Sequence, residues 1–211
     1  RRVVVKKLTV PATPTLSPLT VLRVFTPFAL GYFLSYTYRT VNAVIAPDLV
    51  LDLGLNANAL GLLTSAYFLS FAAFQIPLGI LLDHYGPRRV EAVLLLFASL
   101  GAAFFAMAEN IPGLIIARGL IGFGVSACLM ASFKAYVMWF PKEKLPLVNG
   151  FQLMAGGLGA LAATQPVEML LTITDWRGVF WLLAAATFVV AFMIFFIVPD
   201  GKHKEGNATL K

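Results

Sequence analysis

Cysteine is almost absent: Cys128 is the only one in 211 residues, and it lies inside a long apolar run. A disulfide framework and a CxxC metal pair are therefore excluded. Histidine is nearly as scarce, with His84 and His203 alone, and neither an HExxH nor a GxSxG stretch occurs. A membrane-embedded enzyme would lack its usual proton carriers, and no catalytic residue, cofactor or metal is expected. Charge is the third shortage. Asp, Glu, Lys and Arg make up 12% of the chain against 59% hydrophobic residues, and the mean hydropathy is +0.84. A soluble domain of this size could not hide so much apolar surface, whereas a bilayer removes the need to. The net charge of +6 would suit nucleic acid, yet the basic residues fall in the gaps between apolar runs instead of along one stripe. An all-α integral membrane protein with no nucleic-acid partner is the expectation.

Residues 1 to 20 carry Arg1, Arg2, Lys6 and Lys7, then Pro11, Pro14 and Pro18, and read as a flexible N-terminal tail. Its apolar part is too short to span, and no cleavage-like small-residue end follows. Residues 21 to 199 read as a six-helix transmembrane domain. The apolar runs predict helices over about Arg23 to Ile45, Ala59 to Leu82, Val90 to Ala108, Gly113 to Trp139, Leu147 to Leu171 and Trp176 to Val198. Ala46 to Asn58 is predicted to be a loop, and Phe140 to Pro146 a charged turn. Residues 200 to 211 form a polar tail or a linker to a second half.

Six spans put both ends on one side of the membrane. The gaps after the second, fourth and sixth helices hold Arg88, Arg89, Lys142, Lys144, Lys202 and Lys204, while the opposite loops hold Arg177. By the positive-inside rule both termini are cytoplasmic. The Asn207-Ala208-Thr209 sequon would then never meet a glycosylating lumen.

Between the second and third helices stands Gly79 to Arg89, with the order G-x-L-x-D-x-x-G-x-R-R. Gly79 leaves a notch for a neighbouring helix, Gly86 and Pro87 shape the turn, and Asp83 can pair with Arg88, Arg89 or the positive end of a helix. This order resembles the signature of the major facilitator superfamily of transporters. Ala117-Arg118-Gly-Leu-Ile-Gly122-Phe-Gly124 is similar to that superfamily's fourth-helix pattern. The same letters through Ala127 mimic a dinucleotide fingerprint, but no strand precedes them.

The resemblance implies a half-transporter of two inverted three-helix repeats, with Asp175-Trp176-Arg177-Gly178 as a loose echo of Asp83 and Arg88. It implies that Gly79, Asp83, Gly86, Arg88 and Arg89 form a conformational latch. It also implies a partner, since a working superfamily transporter has two such halves and this chain supplies the first. Secondary active transport of a small solute, in a bacterial inner membrane and among its lipids, is the function expected. A channel or a non-transporting membrane assembly subunit is the alternative.

Ionisable residues inside the membrane carry the chemistry, because a charge near the bilayer centre costs roughly 2.5–3.5 kcal/mol even on insertion scales. From Tyr32, helical steps reach Ser35 or Tyr36, then Arg39, then Asn42 or Ala43, then Ala46. Arg39 either lines an aqueous cavity as a fork-shaped donor for a carboxylate, or snorkels to the outer headgroups or pairs with Asp48 or Glu168. Arg39-Thr-Val-Asn42 through Ala46-Pro47 resembles the first helix of organic-anion symporters, which implies an anionic substrate. Arg118 either binds substrate or bonds to carbonyls of the first helix or to loop acids, and Lys134 snorkels. Thr64, Phe68, Phe71 and Gln75 share one helical face, as do Asn149, Gln152, Gly156 and Ala160. The candidate substrate-binding set is Arg39, Tyr36, Asn42, Tyr32, Arg118 and Gln152; single amides such as Gln75, Asn149 and Gln152 also suit interhelical bonds. The fifth helix lacks the Gly-Pro pair of many superfamily antiporters, against drug efflux. The third and sixth helices, apolar almost throughout, are expected at the lipid periphery. Asp83, Glu91, Glu143 and Asp200 are placed at the cytoplasmic border and Asp48, Asp52, Glu109 and Asp175 at the outer one, so Glu168 is either the one acid able to titrate inside the membrane or, the favoured reading, an interfacial acid near Arg177 or Arg39.

Overall fold

The computed structural model describes residues 18–200, and within them every regular element is a helix. Six are long and apolar enough to cross a membrane: α1 (Pro18–Val44), α2 (Ala57–Tyr85), α3 (Pro87–Met107), α4 (Ile111–Trp139), α5 (Lys142–Leu171) and α6 (Trp176–Ile197). The expected tails lie mostly outside the described residues. Three side-chain caps fix helix starts, as Asn56, Asn110 and Asp175 each accept a backbone N–H three residues on, at 2.8–2.9 Å. Asp175 is thus a helix cap, a different role from that of Asp83, its echo in the first hairpin.

Four local departures from the sequence reading have physical causes. α1 starts at Pro18, before Arg23, and passes through a π-turn at Val21–Phe25. Pro27 has no N–H for the regular ladder, and the Thr26 N–H reaches back five residues to Val21 instead. The predicted loop after α1 contains a short helix, Ala46–Leu53. Pro47 fits its first turn, Asp48 faces the positive end of the dipole, and Gly54 closes it at φ 66°. α4 is not continuous: Ile111–Gly124 and Cys128–Trp139 are separate segments. The Ser126 hydroxyl bonds back to the Phe123 carbonyl (2.7 Å), and Gln75 of α2 donates to the Ser126 carbonyl (3.1 Å), which satisfies a group the broken ladder leaves open. α5 likewise breaks after Ala162, where Thr164 bonds back to Leu161 (2.6 Å) and Pro166 begins the next segment.

Close helix approach is set by small residues. A Cβ at Gly122 would stand 2.2 Å from the Tyr67 carbonyl oxygen, and one at Gly124 2.3 Å from the Ala98 nitrogen, so α4 is wedged between α2 and α3. Gly159 gives α5 the same access to α1, where a Cβ would meet the Phe33 carbonyl at 2.1 Å. There the Thr37 hydroxyl reaches both the Phe33 and Gly159 carbonyls, at 3.0 and 3.1 Å.

The expectation that the third and sixth helices lie at the periphery is corrected for α3. It packs between α4 and α6, and the Ser99 hydroxyl donates to the Ala184 carbonyl at 2.8 Å. Of the most apolar eighteen residues of each span, 61% are buried in α3 and α4 but 17% in α2 and 22% in α5. The open faces of the bundle therefore belong to α2 and α5.

Ion pairs hold the two ends. At the basic end Asp83 meets Lys134 of α4, and Arg88 turns to Asp200 (2.7 Å) with its guanidinium 5.2 Å from the Phe195 ring. Asp83 thus meets a cation of α4, while α3 leads Arg88 toward the end of α6. At the opposite end Arg177 and the Trp176 indole both donate to Asp52, at 2.7 and 3.1 Å, and Arg177 also bonds the Ala108 carbonyl (3.2 Å). These two donors hold the Asp52 carboxyl below its ordinary value.

Candidate substrate site

The helical stepping from Tyr32 places one polar face of α1 toward α2, and the structure forms a cavity there. About 440 Å³ is lined by Arg39, Asn42, Ala43 and Ala46 of α1 and by Leu60, Gly61 and Thr64 of α2. The missing side chain of Gly61 and the small Ala43 and Ala46 leave the space, and Arg39 and Asn42 supply its polarity.

Arg39 is half-buried and held by aromatic faces. Its guanidinium carbon lies 4.6 Å from the centre of the Tyr36 ring, 5.4 Å from Phe71 and 5.6 Å from Phe68. Such contacts hold a cation without neutralising it. Among the described residues it forms no ion pair, with Asp48 and Glu168 included, and its Nε is buried without a hydrogen-bond partner. Asn42 donates to the Thr64 hydroxyl (3.3 Å), while its own carbonyl oxygen is buried and unpaired. A planar donor fork and an unused amide oxygen thus border one space. That arrangement suits an acid group bound at the guanidinium and a hydroxyl donating to Asn42.

Tyr32 and Tyr36 stack edge to face at 5.0 Å, and both press on Gly156 of α5, where a Cβ would lie 2.5 Å from Tyr32. They fix the back of the Arg39 face against α5, one turn and two turns from the cavity.

Arg118 and Gln152 are not brought to this cavity. Arg118 is 1% exposed, donates to the Tyr38 carbonyl of α1 (3.1 Å), and lies 5.3 Å from the Tyr67 ring and 5.9 Å from Phe105. Gln152, fully buried, accepts from the Tyr136 hydroxyl (2.6 Å) and donates to the Phe28 carbonyl (3.3 Å). Both tie helices together, as Gln75 does.

Three residues outside the candidate set meet Arg39 or Asn42. Thr64, Phe68 and Phe71 were visible as one helical face of α2, but a hydroxyl and two phenyl rings in an apolar span carry little signal without knowing what they face. Glu91 is the larger surprise. Two positions after Arg89 it is placed at the cytoplasmic border, yet it is fully buried.

The Major Facilitator Superfamily model matches residues 28–211. Among curated proteins the chain is 30% identical over 180 residues to the hexuronate transporter of Escherichia coli K12, covering 82% of this chain and 41% of that one. It is 27% identical over 180 residues to the probable sulfoacetate transporter of Cupriavidus necator (85% and 42% covered). It is 26% identical over 177 residues to the galacturonate transporter of Dickeya chrysanthemi (83% and 51%). The chain spans about half the length of these relatives. In fold it is similar to the crystal structure of a bacterial homolog of the human lysosomal transporter Spinster, in an inward-facing and occupied conformation. The TM-score is 0.75 at 21% identity, over 89% of this chain and 46% of that chain.

Proposed function

Because the chain belongs to the Major Facilitator Superfamily, we propose that it is the amino-terminal half of a secondary active transporter for a small organic anion, working by alternating access. The single observation that carries the anion is Arg39, a cation with no acidic partner among the described residues, facing a cavity that also offers Asn42 and Thr64. The relatives' names point the same way, since hexuronate, galacturonate and sulfoacetate all carry a carboxylate and the two uronates add hydroxyls. In this reading Arg39 holds the acid group in a two-point contact, Asn42 and Thr64 take a hydroxyl, and Tyr36 and Tyr32 set the arginine's position. Arg118 and Gln152 keep the helices in register behind it.

The exposed faces of α2 and α5 are the surfaces that a second six-helix half, or a second chain, would cover. The latch at Gly79, Asp83, Gly86, Arg88 and Arg89 then works at the basic end, where Asp83 and Lys134 join α2 to α4. That basic end faces the cytoplasm, with both termini inside a bacterial inner membrane.

The test is Arg39→Gln in the full-length protein, with binding of galacturonate and sulfoacetate measured by calorimetry. A charge-assisted hydrogen bond is worth about 1.5–3 kcal/mol, so affinity falls by about 10- to 150-fold. Unchanged affinity for an anion that the parent protein binds overturns the assignment.

A further inference from the structure

Glu91 lies in the second turn of α3, about 6 Å along the axis from Pro87 at 1.5 Å per residue. It is 0% exposed, and neither carboxylate oxygen takes part in a hydrogen bond of good geometry among the described residues. None of the ion pairs among those residues includes it. The carboxyl sits against α1 at Gly31, where a Cβ would stand 2.5 Å from its Oε1, so the missing side chain makes its pocket. From α4 the Cys128 thiol is the polar group that faces it, and Tyr136 lies farther along the same helix.

Among the described residues no cation forms an ion pair with this carboxyl. α1 contributes Tyr32 beside Gly31, and Arg39 two turns on, which reaches Cys128 electrostatically but makes no ion pair with Glu91; α4 contributes Cys128 and Tyr136. α6 has no ionisable residue between Arg177 and its end. On α3 itself Arg88 is engaged by Asp200, and Arg89 lies at the exposed start. On α2 the nearest acidic and basic groups, Asp83 and His84, are exposed at its end. An isolated ionised carboxylate in such a place is prohibitively costly, and the usual escape is to carry a proton.

We infer that Glu91 is a membrane-buried proton-binding site: its carboxyl is neutral in this conformation and gives its proton to water when α1 moves off α3. The step is a plain transfer. The carboxyl O–H bond breaks, water accepts the proton as hydronium, and a carboxylate remains until the helices close again. The inference rests on the transporter reading and adds to it a movement of α1 relative to α3 within this half, and it assigns proton coupling to this chain's own residue. Glu168, exposed near the far end of α5, has no comparable enclosure.

Two measurements on the full-length protein in lipid vesicles test it. Infrared spectra at neutral pH, compared in normal and deuterated water, should show a protonated-carboxyl band that Glu91→Gln removes and Glu91→Asp retains. Accumulation of galacturonate driven by a pH gradient should be lost in Glu91→Gln, while exchange of internal for external galacturonate, which needs no net proton movement, persists. If Glu91→Gln removes no carboxyl band, the proton-binding site is overturned. If the band disappears but the pH-driven accumulation is unchanged, coupling through Glu91 is overturned. A parent protein that exchanges no organic anion contradicts the transporter reading instead, and the infrared comparison still decides where the proton sits.

Discussion

Replacing Gly122 with alanine tests how tightly α4 is wedged in the bundle. The added methyl would meet the Tyr67 carbonyl oxygen at 2.2 Å, the Ser70 hydroxyl at 2.6 Å and the Tyr67 carbonyl carbon at 2.9 Å. Ordinary carbon contacts need about 3.5–4.0 Å, so α2 and α4 must separate by about 1 Å. Two of these three contacts are backbone, so side-chain rotation gives no relief. Overpacking of this kind costs about 1–3 kcal/mol. For a protein of this size or larger each kcal/mol moves the thermal midpoint by at most about 2–4 °C, so the drop should be at most about 12 °C. Binding should weaken too, because Tyr67 bonds the Ser35 carbonyl (3.3 Å) on the helix that carries Arg39. Gly157→Ala is the matched control: no atom lies within 4 Å of its Cβ position, and alanine is the better helix former by roughly 0.5–1 kcal/mol. The assay is tryptophan-fluorescence melting of the purified full-length protein in detergent at one fixed scan rate. Equal midpoints for the two variants would refute the wedge.

Two other predictions concern the ends of the bundle. Asp83→Asn removes an exposed ion pair worth only about 0.2–1 kcal/mol, so melting and anion affinity should stay near the parent values while turnover falls; normal turnover with lost binding contradicts the latch. At the opposite end, Arg177 and Trp176 depress the Asp52 carboxyl, so the clasp's stabilisation is fully present above the ordinary value of 3.8 and is lost as pH falls through the lower folded-state value. Asp52→Asn should therefore melt earlier than the parent at neutral pH and together with it in more acidic solution. A difference between the two that persists at the acid end argues against the clasp.

The spans were legible because apolar length is a blunt, additive signal, and the Arg39 face was legible because helical stepping gathers Tyr36, Arg39 and Asn42 on one side. The breaks in α4 and α5 were not, since both depend on hydroxyls at Ser126 and Thr164 turning back on their own helices, a choice made by packing. The loop after α1 hid a helix of only eight residues, Ala46–Leu53, too short to show a clear apolar period, with Pro47 at its start. Arg118 and Gln152 were recognisable as residues needing partners. Which partner each took, the Tyr38 carbonyl or the Tyr136 hydroxyl, depended on glycines that set the distances between helices. Glu91 was hidden by its neighbours: sequence proximity to Arg88 and Arg89 suggested solvent, whereas Gly31 on a distant helix creates its enclosure.

Uptake of labelled galacturonate into proteoliposomes bearing the full-length protein, with uncharged galactose as the comparison, decides whether Arg39 selects an anion for transport. Galacturonate uptake should exceed that of empty liposomes, be competed by sulfoacetate and not by galactose, and be lost in Arg39→Gln. Uptake of galactose as fast as galacturonate, or galacturonate uptake that survives Arg39→Gln unchanged, would contradict that selection.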